Sequence, residues 1–217
     1  MDEKRITRTN IINKIIEKNN YKSYLEIGVQ SGINLDGVIC PNKTGVDPDD
    51  GMEKWHGGRR RSRSANELTH KQTSDVFFEN NNRIYKKTYD IIFIDGAHVF
   101  SYVYRDILNS LKFLNKGGTI VLHDMLPLTK ENQELVIKQG TWNGDCWKAF
   151  VKARVNFGDQ YEFFVIDEDE GCAIIRESKN PSPLNFVHDR ELNWDSFCKN
   201  KQLWMNVVSY EEFIERL

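Results

Sequence analysis

Asp90-Ile91-Ile92-Phe93-Ile94-Asp95 is a short, almost wholly apolar run that begins and ends on aspartate. A strand with one wet face alternates apolar and polar side chains; this one does not, so it is buried on both faces, as in a parallel sheet. After it, residues 99–114 carry Val103, Ile107, Leu108, Leu111 and Leu114 at helical spacing. Lys116-Gly117-Gly118 stops that helix, and Thr119-Ile120-Val121-Leu122 is the next buried strand. Strand, helix, strand at this spacing is a βαβ unit, and its repetition gives a doubly wound, Rossmann-like α/β sheet.

Working outward, Ile11, Ile12, Ile15 and Ile16 predict an amphipathic first helix that ends at Asn19-Asn20. Residues 23–27 read as a strand closing on Gly28, and residues 43–46 as a second strand ending at Asp47-Pro48. Residues 49–70 are polar, glycine-bearing and basic, and read as a long surface loop. A short helix follows over residues 75–80, capped by Ser74 or Asp75. Downstream, residues 142–155 form a helix, and residues 161–166 and 172–175 form an antiparallel hairpin around an acidic turn. The tail is rich in Trp and Asn and ends in a helix around residues 210–217. The expected organisation is one domain over residues 1–217: an N-terminal helix (1–20), a core (21–176) and a C-terminal extension (177–217).

At 217 residues, 39% hydrophobic and 29% charged, the chain has the make-up of a soluble globular protein. Its formal charge of −2 supplies no global field to draw it onto nucleic acid. The local exception, Arg59-Arg60-Arg61-Ser62-Arg63, reads either as a solvated loop or as a clamp for the phosphates of a nucleotide-linked sugar. Cys40, Cys146, Cys172 and Cys198 show no CxxC pair and no spacing of a structural zinc site. Residues 1–5 lead into an amphipathic stretch rather than an apolar one, and no run approaches the ~20 apolar residues that span a bilayer. These features predict a cytoplasmic protein with free thiols.

Three clusters carry chemistry. In Glu26-Ile27-Gly28-Val29-Gln30-Ser31-Gly32, Gly28 lets the backbone turn sharply out of the first strand, and Gly32 lets a ligand approach the next helix. Glycines after a strand are also ordinary turn residues, so context decides. Asp47 lies at the end of the second strand, about 20 residues on, where an acidic side chain meets the ribose hydroxyls of a bound nucleotide. Asp95-Gly96-Ala97-His98 and His123-Asp124 end the two central strands, at the carboxyl edge where open α/β sheets bind ligands. Two carboxylates and two imidazoles there could hold a divalent cation or act as a general base. A capping His98 and a core His123 are the plainer alternatives.

Glu26-x-Gly28-x-x-x-Gly32, Asp47, Asp95-Gly96-x-His98, Asp106 and Gly117-Gly118-x-x-x-x-His123-Asp124 together resemble the class I S-adenosylmethionine-dependent methyltransferases. Within them the chain looks most like the macrocin O-methyltransferase-like subgroup, which O-methylates sugars and glycosides. The resemblance runs from about residue 21 to residue 176. It implies a seven-stranded sheet ordered 3-2-1-4-5-7-6 with one antiparallel strand. It implies that Glu26, Gly28 and Gly32 face the methionine part of the cofactor, that Asp47 holds the ribose, and that Ser74 or Asp75 lies by the adenine. Asp95 and Asp124 are then the implied magnesium ligands. His123 departs from the usual acidic residue, and histidine is a poor magnesium ligand, so it is instead a candidate base. Asp95, His98, His123 and Asp124 make up the expected catalytic set.

The expected acceptor is a hydroxyl of a sugar or nucleotide-linked sugar; Trp142-Asn143-Gly144-Asp145-Cys146-Trp147 offers aromatic and polar groups where an acceptor lid would lie, its tryptophans either sugar-stacking rings or core. Homo-oligomers stay open, and nothing points to a membrane partner. Rival readings are a methyltransferase of nucleic acid or of a non-sugar metabolite, a dinucleotide-dependent oxidoreductase, and a non-catalytic cofactor-binding protein. The acidic charge balance and the lack of an N/D-P-P-Y motif oppose base methylation. Gln30 stands where an oxidoreductase fingerprint needs its second glycine.

Overall fold

The computed structural model describes residues 5–48, 67–137, 140–178 and 180–217, so the arginine run at 59–63 lies outside the described residues. Eight strands form one mixed sheet: β1 (Ser23–Ile27), β2 (Asn42–Asp47), β3 (Glu67–Lys71), β4 (Tyr89–Ile94), β5 (Leu114–Leu122), β6 (Tyr161–Ile166), β7 (Cys172–Glu177) and β8 (Val207–Val208). Their order is β3-β2-β1-β4-β5-β7-β6-β8. Pairing is parallel throughout except for β7, which runs antiparallel to both β5 and β6. The expected Rossmann-like order is present, with two-residue β8 added beside β6 by the C-terminal extension.

The α-helices among the described residues are α1 (Arg8–Asn19), α2 (Ile33–Gly37), α3 (Ser74–Asn80), α4 (Phe100–Phe113), α5 (Cys146–Phe157), α6 (Trp194–Met205) and α7 (Tyr210–Arg216). Both faces of the sheet are dry. Alternate residues of β4 fall into opposite layers: Ile92 and Ile94 pack with Val103 and Ile107 of α4 and with Phe150 of α5. Ile91 and Phe93 pack with Ile11 and Ile15 of α1 and with Phe213 of α7. Burying each such side chain stabilises the fold by about 1.5–3 kcal/mol, so a six-residue strand without polar alternation holds both layers.

Four local expectations are corrected. Residues 67–71 are not loop but edge strand β3, registered Lys43↔Glu67 through Asp47↔Lys71; an edge strand has a partner on one side only, so it tolerates polar residues. The cap of α3 is neither Ser74 nor Asp75 but Thr73, whose hydroxyl accepts from the Val76 amide. Lys116-Gly117-Gly118 does not end α4, which stops at Phe113; it lies within β5, where the register jumps from Tyr89↔Leu114 to Ile91↔Thr119. Finally, α5 starts at Cys146 rather than at Trp142, because Gly144 sits at φ +60°.

No described helix is long and apolar enough to cross a membrane. The four cysteines are all free thiols.

Candidate active site

The carboxyl ends of β1, β2, β4 and β5 open into one cavity of about 1160 Å³. Its floor is the turn after β1. Gly28 sits at φ +89°, and its amide donates to the Val46 carbonyl at 2.9 Å. A Cβ added there would lie 2.2 Å from the Asp95 carbonyl oxygen. The glycine is therefore needed first by the protein itself, because β1 and β4 close together at this point.

Glu26 is almost wholly buried beside this turn, accepting from the Tyr24 hydroxyl and, at 3.0 Å, from Asn34 Nδ2. Burial pushes its carboxyl up to about 8 against the pull of those hydrogen bonds. Gly32, at φ +76°, caps the five-residue α2. Asp47 is positioned by the Gln30 amide, which donates to its Oδ2 at 2.7 Å, and both residues line the cavity. Ser74 and Asp75 line the same cavity beyond β3, but Asp75 is held in a two-point ion pair with Arg105 (2.8 and 3.2 Å).

At the ends of β4 and β5 the structure brings Asp95, His98, His123 and Asp124 together. Ala97, His98 and Asp124 all adopt left-handed backbone conformations, which turn their side chains back toward the cavity. His98 Nε2 lies 3.4 Å from Asp95 Oδ1 and 3.3 Å from Asp124 Oδ2. Its other nitrogen, Nδ1, is 3.1 Å from the Trp142 carbonyl and so donates to it, which makes Nε2 the acceptor in the neutral ring. Trp142 also stacks on the imidazole, with centroids 4.8 Å apart. Gly144 lets this loop close: a Cβ there would lie 1.8 Å from the His98 carbonyl oxygen. Trp147, by contrast, is core, packed on Phe197 and Trp204.

His123 lies deeper. Its Nδ1 is 3.1 Å from Asp124 Oδ2, and its Nε2 is 3.7 Å from Asp169 Oδ2. Burial opposes its charge, but Asp95, Asp124 and Asp169 outweigh burial and raise its pKa well above the ordinary histidine value. Burial likewise opposes the charge on His98, where Asp95 and Asp124 again prevail and raise the pKa. Asp95 is held below the usual carboxylate range, burial being outweighed by His123, His98 and Arg8.

Two participants were not legible in the sequence, and a third, Asn143, only as part of the stretch beyond β5. Arg8, the first residue of α1, places Nη1 2.9 Å from Asp95 Oδ2 and against the His123 ring, 2.9 and 3.0 Å from its two nitrogens. A guanidinium in that position works against the His123 charge. Asp169, in the β6–β7 turn, accepts from the Arg8 amide at 2.7 Å. Asn143 donates to Asp124 Oδ1 at 2.8 Å. An arginine at a helix start and an aspartate in an acidic turn have nothing in their local pattern to mark them; an Asn-Gly pair reads as a turn.

Residues 25–125 match a family model described as a methyltransferase domain. No curated protein sequence matches the chain. Several solved structures share the fold. The O-methyltransferase TomG from Streptomyces achromogenes, involved in tomaymycin synthesis and solved with S-adenosylmethionine, is 10% identical, covers 79% of each chain and gives a TM-score of 0.58. An O-methyltransferase from Bacillus cereus, solved with S-adenosylhomocysteine, is 11% identical over 81% of this chain and 83% of its own, with a TM-score of 0.58. The N-methyltransferase NodS from Bradyrhizobium japonicum WM9 is 13% identical over 79% of this chain and 94% of its own, with a TM-score of 0.50. By sequence residues 25–125 resemble a methyltransferase domain, and the sheet that carries them has an architecture also found in these O- and N-methyltransferases.

Proposed function

We propose that the protein is an S-adenosylmethionine-dependent O-methyltransferase acting on a hydroxyl of a sugar or glycoconjugate precursor, nucleotide-linked sugars included. The observation that carries this reading is the meeting of His98 Nε2 with Asp95 and Asp124 in the cavity that Glu26, Gly28 and Asp47 also line. In this reading Glu26, Gly28 and Gly32 hold the methionine part, Asp47 the ribose, and Ser74 and Asp75 border the base. The cofactors seen in the Streptomyces and Bacillus enzymes support that choice. The polar cavity wall, including Thr7, Thr9, Ser31 and Thr141, suits a polyhydroxylated acceptor.

When bound, S-adenosylmethionine supplies a methyl group already activated on a sulfonium. The chain must align the acceptor oxygen and take its proton. His98 is placed to take that proton, because its Nδ1–H is fixed by Trp142 and an imidazolium formed at Nε2 is stabilised between Asp95 and Asp124. His123 is the poorer base, since its side chain is only 4% exposed and Asp95, Asp124 and Asp169 favour its charged form. It serves to hold the two catalytic carboxylates in place.

The donor set does not fit magnesium. Asp95 Oδ2 is taken by Arg8 and Asp124 Oδ1 by Asn143, which leaves one oxygen from each carboxylate beside an imidazole nitrogen. Magnesium requires a near-octahedral shell of oxygens. In this reading the side chains, without magnesium, carry the proton transfer.

Calorimetric titration with S-adenosylmethionine and S-adenosylhomocysteine, with NAD as control, tests the class. Methyl transfer to a panel of free and nucleotide-linked sugars tests the acceptor. Micromolar binding of the sulfur ligands and none of NAD is expected; folded protein that binds neither sulfur ligand would refute the assignment.

A further inference from the structure

Asp106 is 2% exposed on the inner face of α4 and lines the cavity beside Ser74. Its Oδ1 has no hydrogen-bond partner among the described residues. A buried carboxylate oxygen without a partner is costly, and such groups are rare in folded proteins unless a ligand completes them. Among the described residues no side chain completes it. Ser110 Oγ, one turn along the same helix face, is equally buried and equally without a partner, so the two groups do not satisfy each other. The Ser74 side chain is the hydrogen-bonding neighbour of this carboxyl, and Asp75 beside it is committed to Arg105.

Asp47 ends β2, and the cavity continues from it through Thr73 and Ser74, at the start of α3, to Asp106. A nucleoside with its ribose on Asp47 directs its base along this path. Tyr102, one turn before Asp106 on α4, lines the same end of the cavity. We infer that Asp106 reads the exocyclic amino group of the cofactor's adenine, Oδ1 accepting from N6–H, and that it sets the preference for a 6-amino over a 6-oxo purine. This inference rests on the reading of the cavity as an S-adenosylmethionine site.

The test compares S-adenosylhomocysteine with its 6-oxo analogue, S-inosylhomocysteine, by calorimetry at pH 8.5. Burial pushes the Asp106 carboxyl up to about 7, so at pH 8.5 it is ionised and only accepts hydrogen bonds. Wild type is expected to prefer the adenine ligand by roughly 10- to 100-fold, the range of one hydrogen bond to a charged group. Asp106→Leu, similar in size, removes the preference by weakening only the adenine ligand. Asp106→Asn can turn its amide to donate to O6, so it binds S-inosylhomocysteine more tightly than wild type does, a gain that misfolding cannot imitate. Unchanged discrimination in both folded variants would overturn the inference and leave the cofactor assignment standing. Failure of wild type to bind S-adenosylhomocysteine at all would overturn both, and the two failures are told apart by the wild-type titration alone.

Discussion

Gly28→Ala is the sharpest perturbation available, because the structure gives its obstacle in atomic terms. The new Cβ would meet the Asp95 carbonyl oxygen at 2.2 Å, its carbon at 2.5 Å and Gly96 Cα at 2.9 Å. All three are backbone atoms of the β4 end, so no side-chain rotation relieves the contact. Alanine at φ +89° adds about 1–2 kcal/mol of conformational strain. Moving the turn away strains two hydrogen bonds, Gly28 N to Val46 O (2.9 Å) and Asp95 N to Ile27 O (2.8 Å). Each is worth about 1 kcal/mol, so the expected destabilisation is about 3–4 kcal/mol. For a chain of this size that lowers Tm by roughly 6–15 °C. The same displacement moves Asp95, so the variant should also lose affinity for S-adenosylhomocysteine. Thermal melts with calorimetric titration measure both effects. Gly37→Ala is the comparison: the nearest obstacle to its Cβ is a side-chain atom, the Thr9 methyl at 2.8 Å, rather than backbone, so it should be destabilised less than Gly28→Ala. A Gly28→Ala protein that melts within about 2 °C of wild type and binds normally would show that β1 and β4 do not close as described.

Three further predictions follow from the charged cluster. If His98 is the base, its neutral form is the active one and its pKa is raised, so kcat/KM should climb with pH along a limb displaced above 6.5. Asp124→Asn removes one of the charges that raise it, so the limb should move to lower pH while cofactor affinity is kept; an unmoved limb excludes His98. The Asp169 carboxyl is held down to about 2, burial being outweighed by His123 and Arg8. It therefore contributes stability above its unfolded pKa of about 3.9, and that stability is lost as pH falls toward 2. Asp169→Asn should be less stable than wild type at pH 6 with the gap closing between about pH 4 and pH 2, and denaturant melts that show a constant gap would refute the pairing. Because the donor set does not fit magnesium, withholding magnesium should leave methyl transfer unchanged, and activation by added magnesium would contradict the reading of the site.

The doubly wound core was legible in the sequence because burial on both faces leaves a direct mark. In residues 90–95 and 119–122 polar alternation disappears, and the glycines at 28 and 32 mark the turn out of β1. Asp47, Asp95, His98, His123 and Asp124 were legible for a related reason: in a parallel sheet every strand end points to the same edge, so position along the chain fixes position in space. The edge strand β3 was missed because a strand with one neighbour can be polar. Arg8 and Asp169 were not legible at all, and Asn143 only as part of the stretch beyond β5. They reach the cluster from α1, from the loop before α5 and from the β6–β7 turn. Nothing local marks a residue whose partner lies 87 or 115 positions away, as Asp95 and His123 do from Arg8. The sharp turn expected at Gly28 is present, and only the tertiary structure shows that the space left by its missing side chain is taken by the Asp95 carbonyl. Local patterning thus determined the sheet and its functional edge. The charges and contacts that distinguish His98 from His123 arise only where segments distant in sequence pack together.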